Sequence, residues 1–244
     1  MGCSFTYRHY REILQNALKA GYKTIGFHEA PPREDRILLL RHDVDVVLFK
    51  ALPLAKLEAE LGVRSTYFVL SNSPIYNLFE SSSIALVQKI AKLGHWIGLH
   101  VDISPDLPLW QIEDHVNSLF GTLKRLLPLT KVVSFHRPSP MVKDRKFRSF
   151  VNVYEPRFFS DIKYISDSRQ KWLAECPCGV LKERVFPMVQ LLTHPIWWWE
   201  VEIDIKQIWD RILTVRISEI KNYLTSNISP FKELLEEKST VAMT

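Results

Sequence analysis

The sequence has 244 residues, of which 46% are hydrophobic and 24% charged, and its formal net charge is +5. This length and balance predict a single domain over residues 1–244 with a sizeable core. The basic residues are scattered, and no basic run is interleaved with aromatic residues, so we expect no nucleic-acid partner.

Helical and strand patterns alternate along the chain. Strands are predicted at residues 24–27, 38–40, 64–70, 95–101, 131–135, 164–166 and 189–193. Helices are predicted at residues 7–20, 47–61, 84–93 and 109–127, and over most of residues 201–235. This alternation indicates βαβ units and therefore an α/β fold with a parallel sheet.

The cysteines do not form a disulfide framework, because there are only three of them, Cys3, Cys176 and Cys178. Cys176-Pro177-Cys178 has neither the spacing nor the second pair of a zinc knuckle. We therefore predict reduced thiols in a cytoplasmic protein. Residues 5–19 carry charges unlike a signal peptide, and no apolar stretch is long enough to span a bilayer.

Ionisable residues gather where the predicted strands end. Side chains alternate along a strand, so Arg41, Asp43 and Asp45 would share one face. Two neighbouring carboxylates repel each other unless a cation lies between them, and the candidates are Arg41 and a metal ion. The ends of the later strands carry His100 and Asp102, His136 and Arg137, Asp167, and His194. In parallel α/β barrels these ends form one face that carries the chemistry, so the grouping predicts an active site.

Five short motifs, in their order along the chain, resemble the metal-dependent polysaccharide deacetylases of the NodB-homology group. They are Arg-His-Asp-Val-Asp, Gly-His-Trp-Ile-Gly-Leu-His, Phe-His-Arg-Pro, Asp-Ser-Arg and Leu-Thr-His-Pro, between about Ile37 and Trp199. The resemblance implies a distorted (β/α) barrel with about seven parallel strands. It also implies a hydrolase that removes N- or O-acetyl groups from sugars.

The resemblance also implies a role for each matched residue. Asp43 resembles the general base, Asp45 the metal-binding carboxylate and His100 the first histidine ligand. Arg137 resembles the arginine that orients the catalytic aspartate. His194 matches the general-acid histidine, and Asp167 the carboxylate that tunes it. The implied cofactor is a divalent metal ion, zinc in the first place, with cobalt and nickel as alternatives.

One departure concerns the second metal histidine, which the family supplies four residues after the first. That position is Ser104 here. The third ligand could be His136 or Asp102, or the chain could lack a tight metal site. Of these we favour His136, which requires the chain after the strand to turn this side chain inward.

We expect an enzyme that deacetylates an acetylated sugar or glycan intermediate of surface-polysaccharide biosynthesis. The alternative is a catalytically impaired relative that binds a glycan or a partner, which Ser104 favours. The same residues would also permit hydrolysis of a non-sugar amide. Trp197-Trp198-Trp199 could line a sugar-binding groove or fill the core.

Overall fold

The computed structural model describes residues 3–29, 36–104, 106–172 and 175–231. The chain divides into two compact units, one up to Glu202 and one from Ile203 onward. The second unit contains helix α6 (Ile205–Asn227), which begins with a capping box formed by Asp204 and Gln207. None of the helices in the described ranges is long and apolar enough to cross a membrane.

The first unit contains the sheet and five helices of the described chain. The strands are β1 (Tyr22–Thr24), β2 (Arg36–Val44), β3 (Thr66–Leu70), β4 (Trp96–Val101), β5 (Leu129–Phe135), β6 (Val151–Asn152), β7 (Lys163–Ser166) and β8 (Met188–Thr193). The helices are α1 (Tyr7–Lys19), α2 (Ala51–Glu60), α3 (Ser81–Lys92), α4 (Leu109–Leu123) and α5 (Pro177–Glu183).

The strands form one parallel sheet in the order β6-β5-β4-β3-β2-β8-β7, with β1 beside the start of β2. Helices follow β2, β3, β4 and β7, as βαβ units require. The predicted α/β fold and its distorted barrel are confirmed, and β6 and β7 end the strand order without pairing to each other in the described chain. Because every strand is parallel, all carboxyl ends lie at one edge of the sheet.

Strand β2 lies in the middle of this order and is longer than its apolar run. The run ends at Leu40, but the strand continues to Val44 and is buried from Ile37 onward. The ladders to β3 and β8 hold this polar end in the sheet. Arg41 and Asp43 tolerate burial because they pair with each other at 3.4 Å.

Several element boundaries differ from the sequence-based expectation. Strand β1 ends at Thr24 instead of beginning there. The helix predicted over residues 47–61 is a 3₁₀ turn at Leu48–Lys50 followed by α2. Neither β6 nor α5 was expected from the residue pattern. The helix predicted to reach residue 235 is described as far as Asn227, and residues 232–235 lie outside the described ranges.

Gly98 in β4 leaves room for side chains of the two strands paired with β4, Phe68 of β3 and Val132 of β5. A Cβ atom at this position would lie 2.5 Å from Cε1 of Phe68 and 2.8 Å from Cγ2 of Val132. We expect Gly98→Ala to reduce the free energy of unfolding by ~1–3 kcal/mol, as overpacked cores do. Urea denaturation measures this. Gly121→Ala in α4 is the control, because a Cβ there meets nothing within 4 Å and alanine favours helix; equal effects of the two changes would contradict the prediction.

Candidate active site

The carboxyl ends of β2, β4, β5, β7 and β8 surround one cavity of about 380 Å³. Asp43 is near the end of β2, and Asp45 follows that strand directly. His100 lies in β4, and His136 is the first residue after β5. His194 is the first residue after β8. The cavity is lined by these side chains together with Phe135, Arg137, Pro138, Lys143, Tyr154, Phe159, Tyr164, Ser168 and Leu192.

Three of these side chains direct ligand atoms at one another. Oδ1 of Asp45 lies 2.9 Å from Nε2 of His100 and 3.5 Å from Nδ1 of His136. The two imidazole nitrogens are 3.1 Å apart. Two ligands each ~2.1 Å from a divalent ion are ~3.0 Å apart in octahedral and ~3.4 Å apart in tetrahedral coordination. The three observed separations lie inside this range or within about 0.1 Å of it, so the residues fit a metal ion held by one carboxylate and two imidazoles.

The surroundings of His100 support this fit. Nδ1 of His100 donates a hydrogen bond to the backbone carbonyl of Ser134 at 2.8 Å, which leaves Nε2 to face Asp45. A histidine ligand is typically oriented in this way by a backbone carbonyl on its other nitrogen. Burial alone would lower the pKa of His100, but the carboxylates of Asp43 and Asp45 raise it. The cluster therefore attracts a cation, either a proton or a metal ion.

The structure brings His136 to this cluster, and it does not bring Asp102 or Ser104. Asp102 pairs with Nη2 of Arg137 at 2.7 Å. Ser104 is exposed. Of the alternatives for the third ligand, His136 is therefore the one whose position fits. Its backbone N–H continues the ladder to β4 by bonding to the carbonyl of Val101 at 2.8 Å, so its side chain lies on the same face as that of Ser134, which reaches Asp43.

Asp43 is buried beside the cluster and is held through one of its oxygens. Its Oδ2 accepts hydrogen bonds from Oγ of Ser134 at 3.0 Å and from Nη2 of Arg41 at 3.4 Å. The same Nη2 of Arg41 donates to the hydroxyl of Tyr154 at 2.9 Å. Oδ1 of Asp43 is buried and has no hydrogen-bond partner within the described ranges. The carboxylate is thus held through Oδ2, the oxygen that lies 4.0 Å from Nε2 of His100.

The arginine that reaches Asp43 is Arg41. Arg137, to which the family resemblance gave this role, has a largely exposed side chain and pairs with Asp102. Its backbone has a φ of 46°, which is uncommon for a residue other than glycine. Sequence reasoning considered Arg41 as a partner of the carboxylates, but it did not single out Ser134 or Tyr154. The only sequence signal for Ser134 was a small polar residue two positions before His136.

His194 and Asp167 form a second pair at the cavity. Nδ1 of His194 is 2.6 Å from Oδ1 of Asp167, and Nε2 is 3.8 Å from Oδ2 of Asp45. Asp167 also accepts a hydrogen bond from Nε1 of Trp198 at 2.9 Å. Burial alone would lower the pKa of His194, but the Asp167 carboxylate raises it to about 9. This histidine is therefore protonated at neutral pH and presents an N–H group to the cavity.

The three consecutive tryptophans are not among the residues that line this cavity. Trp198 is fully buried and Trp199 is nearly so. Trp198 packs against Tyr10, with ring centroids 4.9 Å apart. Trp198 therefore fills the core, which is one of the two expectations for this run. Its hydrogen bond also holds Asp167 in place.

A buried polar network lies behind the site, on the other side of β2. His42 alternates with Asp43 along the strand, and its Nε2 is 2.7 Å from Oε1 of Glu58 in α2. Nδ1 of His42 is 2.7 Å from the hydroxyl of Thr193, the residue before His194. Glu58 also accepts hydrogen bonds from the hydroxyl groups of Tyr10, Ser65 and Tyr67.

The Glu58 charge should make the stability of the protein depend on pH. Burial alone would raise the pKa of Glu58, but His42 in the first place, with His95 and Ser65, lowers it from 4.5 to about 2. Because the folded-state pKa lies below the unfolded value, the stabilisation is fully present above about pH 4.5 and is lost as the pH falls towards 2. A shift of this size corresponds to roughly 3 kcal/mol at neutral pH.

We therefore expect Glu58→Gln to reduce the free energy of unfolding by roughly 3 kcal/mol at about pH 7, with the deficit shrinking towards about pH 3. Urea denaturation at the two pH values measures the difference. Glu60→Gln on the same helix is the control, since Glu60 is exposed and its pair with Arg11 should contribute little. A deficit that does not change with pH would contradict this role of the charge.

No family model matches the sequence, and no curated protein matches it. Solved structures do match. A family 4 carbohydrate esterase from Bacillus anthracis is 15% identical over 84% of this chain and 86% of its own, with a TM-score of 0.45. A CE4 family pseudoenzyme from Bacillus anthracis is 13% identical over 77% of this chain and 63% of its own, with a TM-score of 0.44. The chitin deacetylase from the fungal pathogen Colletotrichum lindemuthianum is 14% identical over 73% and 81%, with a TM-score of 0.42.

At such low identity the similarity concerns the course of the backbone alone, and the chemistry of this chain follows from its own side chains. The solved structures similar to this chain thus include carbohydrate esterases and deacetylases, as the sequence motifs led us to expect.

Proposed function

We propose that this protein is a metal-dependent hydrolase that removes an acetyl group, in the first place an N-acetyl group, from a sugar or glycan. The observation that carries the proposal is the cluster of Asp45, His100 and His136, whose ligand atoms are 2.9 to 3.5 Å apart. Asp43 and His194 face the same cavity as this cluster. A carboxylate and an imidazolium next to such a cluster are the groups that hydrolysis of an amide requires.

In this proposal Asp45, His100 and His136 hold a divalent metal ion, zinc in the first place, with cobalt and nickel as alternatives. Such an ion supplies Lewis-acid polarisation of the acetyl carbonyl and lowers the pKa of the attacking water. Asp43 takes the proton of that water, while Arg41 and Ser134 bond to its Oδ2 and so fix the orientation of the carboxylate.

His194 gives a proton to the leaving nitrogen. An amine is a poor leaving group until it is protonated, and the raised pKa of His194 keeps the imidazolium available at neutral pH. Asp167 accepts the hydrogen of Nδ1 and thereby directs Nε2 at the cavity. In this assignment the base and the acid are separate residues, each held by a buried partner.

The sugar substrate is proposed on the motif resemblance and on the lining of the cavity. Phe159 and Tyr164 offer aromatic faces beside the polar groups, which suits a pyranose ring. Three free thiols suit a reducing compartment, so we place the protein in the cytoplasm, acting on an intermediate of surface-polysaccharide biosynthesis.

A second candidate is a glycan-binding relative without catalytic activity. It is favoured by Ser104, which stands where the family supplies a metal histidine and is exposed in this structure. His136 weakens that candidate, because it brings an imidazole nitrogen to within 3.5 Å of Asp45 from a different loop.

The test is an acetate-release assay on metal-loaded protein. The substrates are an N-acetylated monosaccharide, a nucleotide-linked N-acetyl sugar, an acetylated oligosaccharide and a non-sugar acetamide. We expect release from at least one sugar, with loss of activity after chelation and recovery when zinc is restored. Release from the acetamide alone would contradict the sugar substrate. A protein that holds zinc in the cavity but hydrolyses none of the substrates would favour the glycan-binding candidate.

A further inference from the structure

A second group of metal-ligand side chains lies away from the cavity. Sγ of Cys3, Nε2 of His9, Sγ of Cys176 and Sγ of Cys178 all lie within 4.8 Å of one another. Cys3 precedes α1, His9 lies in its first turn, and Cys176 and Cys178 are at the start of α5. Three separate segments of the first unit thus bring three thiols and one imidazole to a single point.

The distances within this group suit a tetrahedral ion. Zinc–sulfur bonds of ~2.3 Å place two thiolates of a tetrahedral site ~3.8 Å apart. The sulfur atoms of Cys3 and Cys178 are 3.8 Å apart. Nε2 of His9 is 3.2 Å from Sγ of Cys176, so this separation would open by a few tenths of an ångström around an ion. These two separations are therefore close to those of a tetrahedral site, and all four ligand atoms lie within 4.8 Å of one another.

His9 is held so that Nε2 faces the thiols. Its Nδ1 is 3.2 Å from Oε2 of Glu12, which is nearly one helical turn further along α1. A carboxylate on the outer nitrogen is the usual partner of a metal-bound histidine, because it fixes the tautomer and strengthens the ligand. The backbone N–H of His9 is bonded to the hydroxyl of Thr6, the N-cap of α1, at 3.2 Å. The ring orientation is thus set by α1 itself.

We propose that Cys3, His9, Cys176 and Cys178 form a structural zinc site, distinct from the cavity. Four protein ligands leave no open position, and soft thiolates select zinc over magnesium or calcium. Cys3 is exposed, which provides a path for the ion to enter. The proposal does not depend on the hydrolase activity, since none of the four residues lines the cavity.

A zinc ion bound to these four residues would cross-link the segment before α1 to the start of α5. Beside it, the ring of Phe5 stacks on Trp172 at 5.5 Å and meets Trp198 edge-on at 5.3 Å. Trp198 in turn donates to Asp167. Zinc at this point would therefore hold the connection between β7 and α5, at whose start Asp167 lies.

The test is a titration of the full chain with Co²⁺ in the presence of a phosphine reductant. Thiolate ligands give cobalt an intense charge-transfer absorption in the near ultraviolet, and the cluster of Asp45, His100 and His136 contains no sulfur to produce it. We expect this band to appear during the titration and to stop growing once the thiolates of each chain hold one cobalt ion. It should disappear when zinc is added. The double variant Cys176→Ser/Cys178→Ser should lack the band and hold one zinc fewer. His115→Ala, an exposed histidine on α4, is the control and should behave like the unsubstituted protein.

A thiol-protection measurement on the unsubstituted protein keeps the proposal testable even if the serine variant does not fold. Zinc should protect all three cysteines from an alkylating reagent, and a chelator should expose them. Labelling that is the same with and without zinc would overturn the proposal, as would the absence of the cobalt band. A purified protein whose mass is lower by two hydrogens, because of a disulfide that persists in the reductant, would also overturn it.

Discussion

Replacing His194 with alanine should slow the release of acetate from an N-acetyl substrate by ~10²–10⁴-fold, the usual contribution of a proton-transfer group. The leaving amine needs a proton, and His194 is the protonated imidazole at the cavity. An aryl acetate has a leaving group that departs without a proton. The variant should therefore hydrolyse that ester at nearly the rate of the unsubstituted protein. The ratio of the two rates is the measurement.

The matched variant is Asp43→Asn, which should slow the amide and the ester alike. Both reactions need a base to deprotonate the attacking water, and the side-chain amide of the variant could not accept that proton. Metal content is determined for both variants, so that a lost ion is not mistaken for a lost proton transfer. If His194→Ala slows the two substrates equally, His194 is not the general acid.

His136→Ala should remove zinc from the cavity. The variant keeps Asp45 and His100 as ligands, and we expect the affinity to fall by more than the ~10- to 100-fold that losing an outer-shell partner costs. Competition with a chromophoric chelator measures the dissociation constant. Both this change and its control are made in the double variant Cys176→Ser/Cys178→Ser, the background protein, so that zinc held by the thiols does not enter the result.

Asp102→Ala is the control for this experiment, because Asp102 pairs with Arg137 and not with the cluster. We expect its zinc affinity to match that of the background protein. Loss of zinc in Asp102→Ala with retention in His136→Ala would assign the third ligand to Asp102. It would also require this loop to rearrange when the metal binds.

Local patterns were sufficient to predict the parallel sheet but not all of its elements. The strands β3, β4, β5 and β8 are rich in β-branched, aromatic and other apolar residues, and helices of ordinary length separate most of them. Strand β6 contains two residues and α5 contains seven, so neither is long enough to show a period. Short elements of this kind depend on tertiary packing, which a single sequence does not display.

The residues of the candidate active site were likewise only partly predictable from the sequence. Parallel strands end at one edge, so polar residues at those ends could be brought together by reasoning alone. Strand alternation made Arg41 a candidate partner of Asp43, but the sequence could not decide between Arg41 and Arg137, because Tyr154, which holds Arg41 there, lies far along the chain. The thiol group was missed for a similar reason. Cys3 and Cys178 are 175 positions apart, and such a separation carries no sign of contact.

The pairing of β4 with β5 has a consequence for folding. His100 lies opposite Ser134, and Val101 lies opposite Phe135, so His136 emerges beside the end of β4. A slip of β5 by one residue would exchange its inward and outward faces and would turn Ser134 away from Asp43. Only one alignment of these strands assembles the metal ligands. A bound ion would therefore favour the native alignment over its neighbours by mass action. In the Cys176→Ser/Cys178→Ser variant, zinc uptake during refolding would report when these two strands have paired correctly.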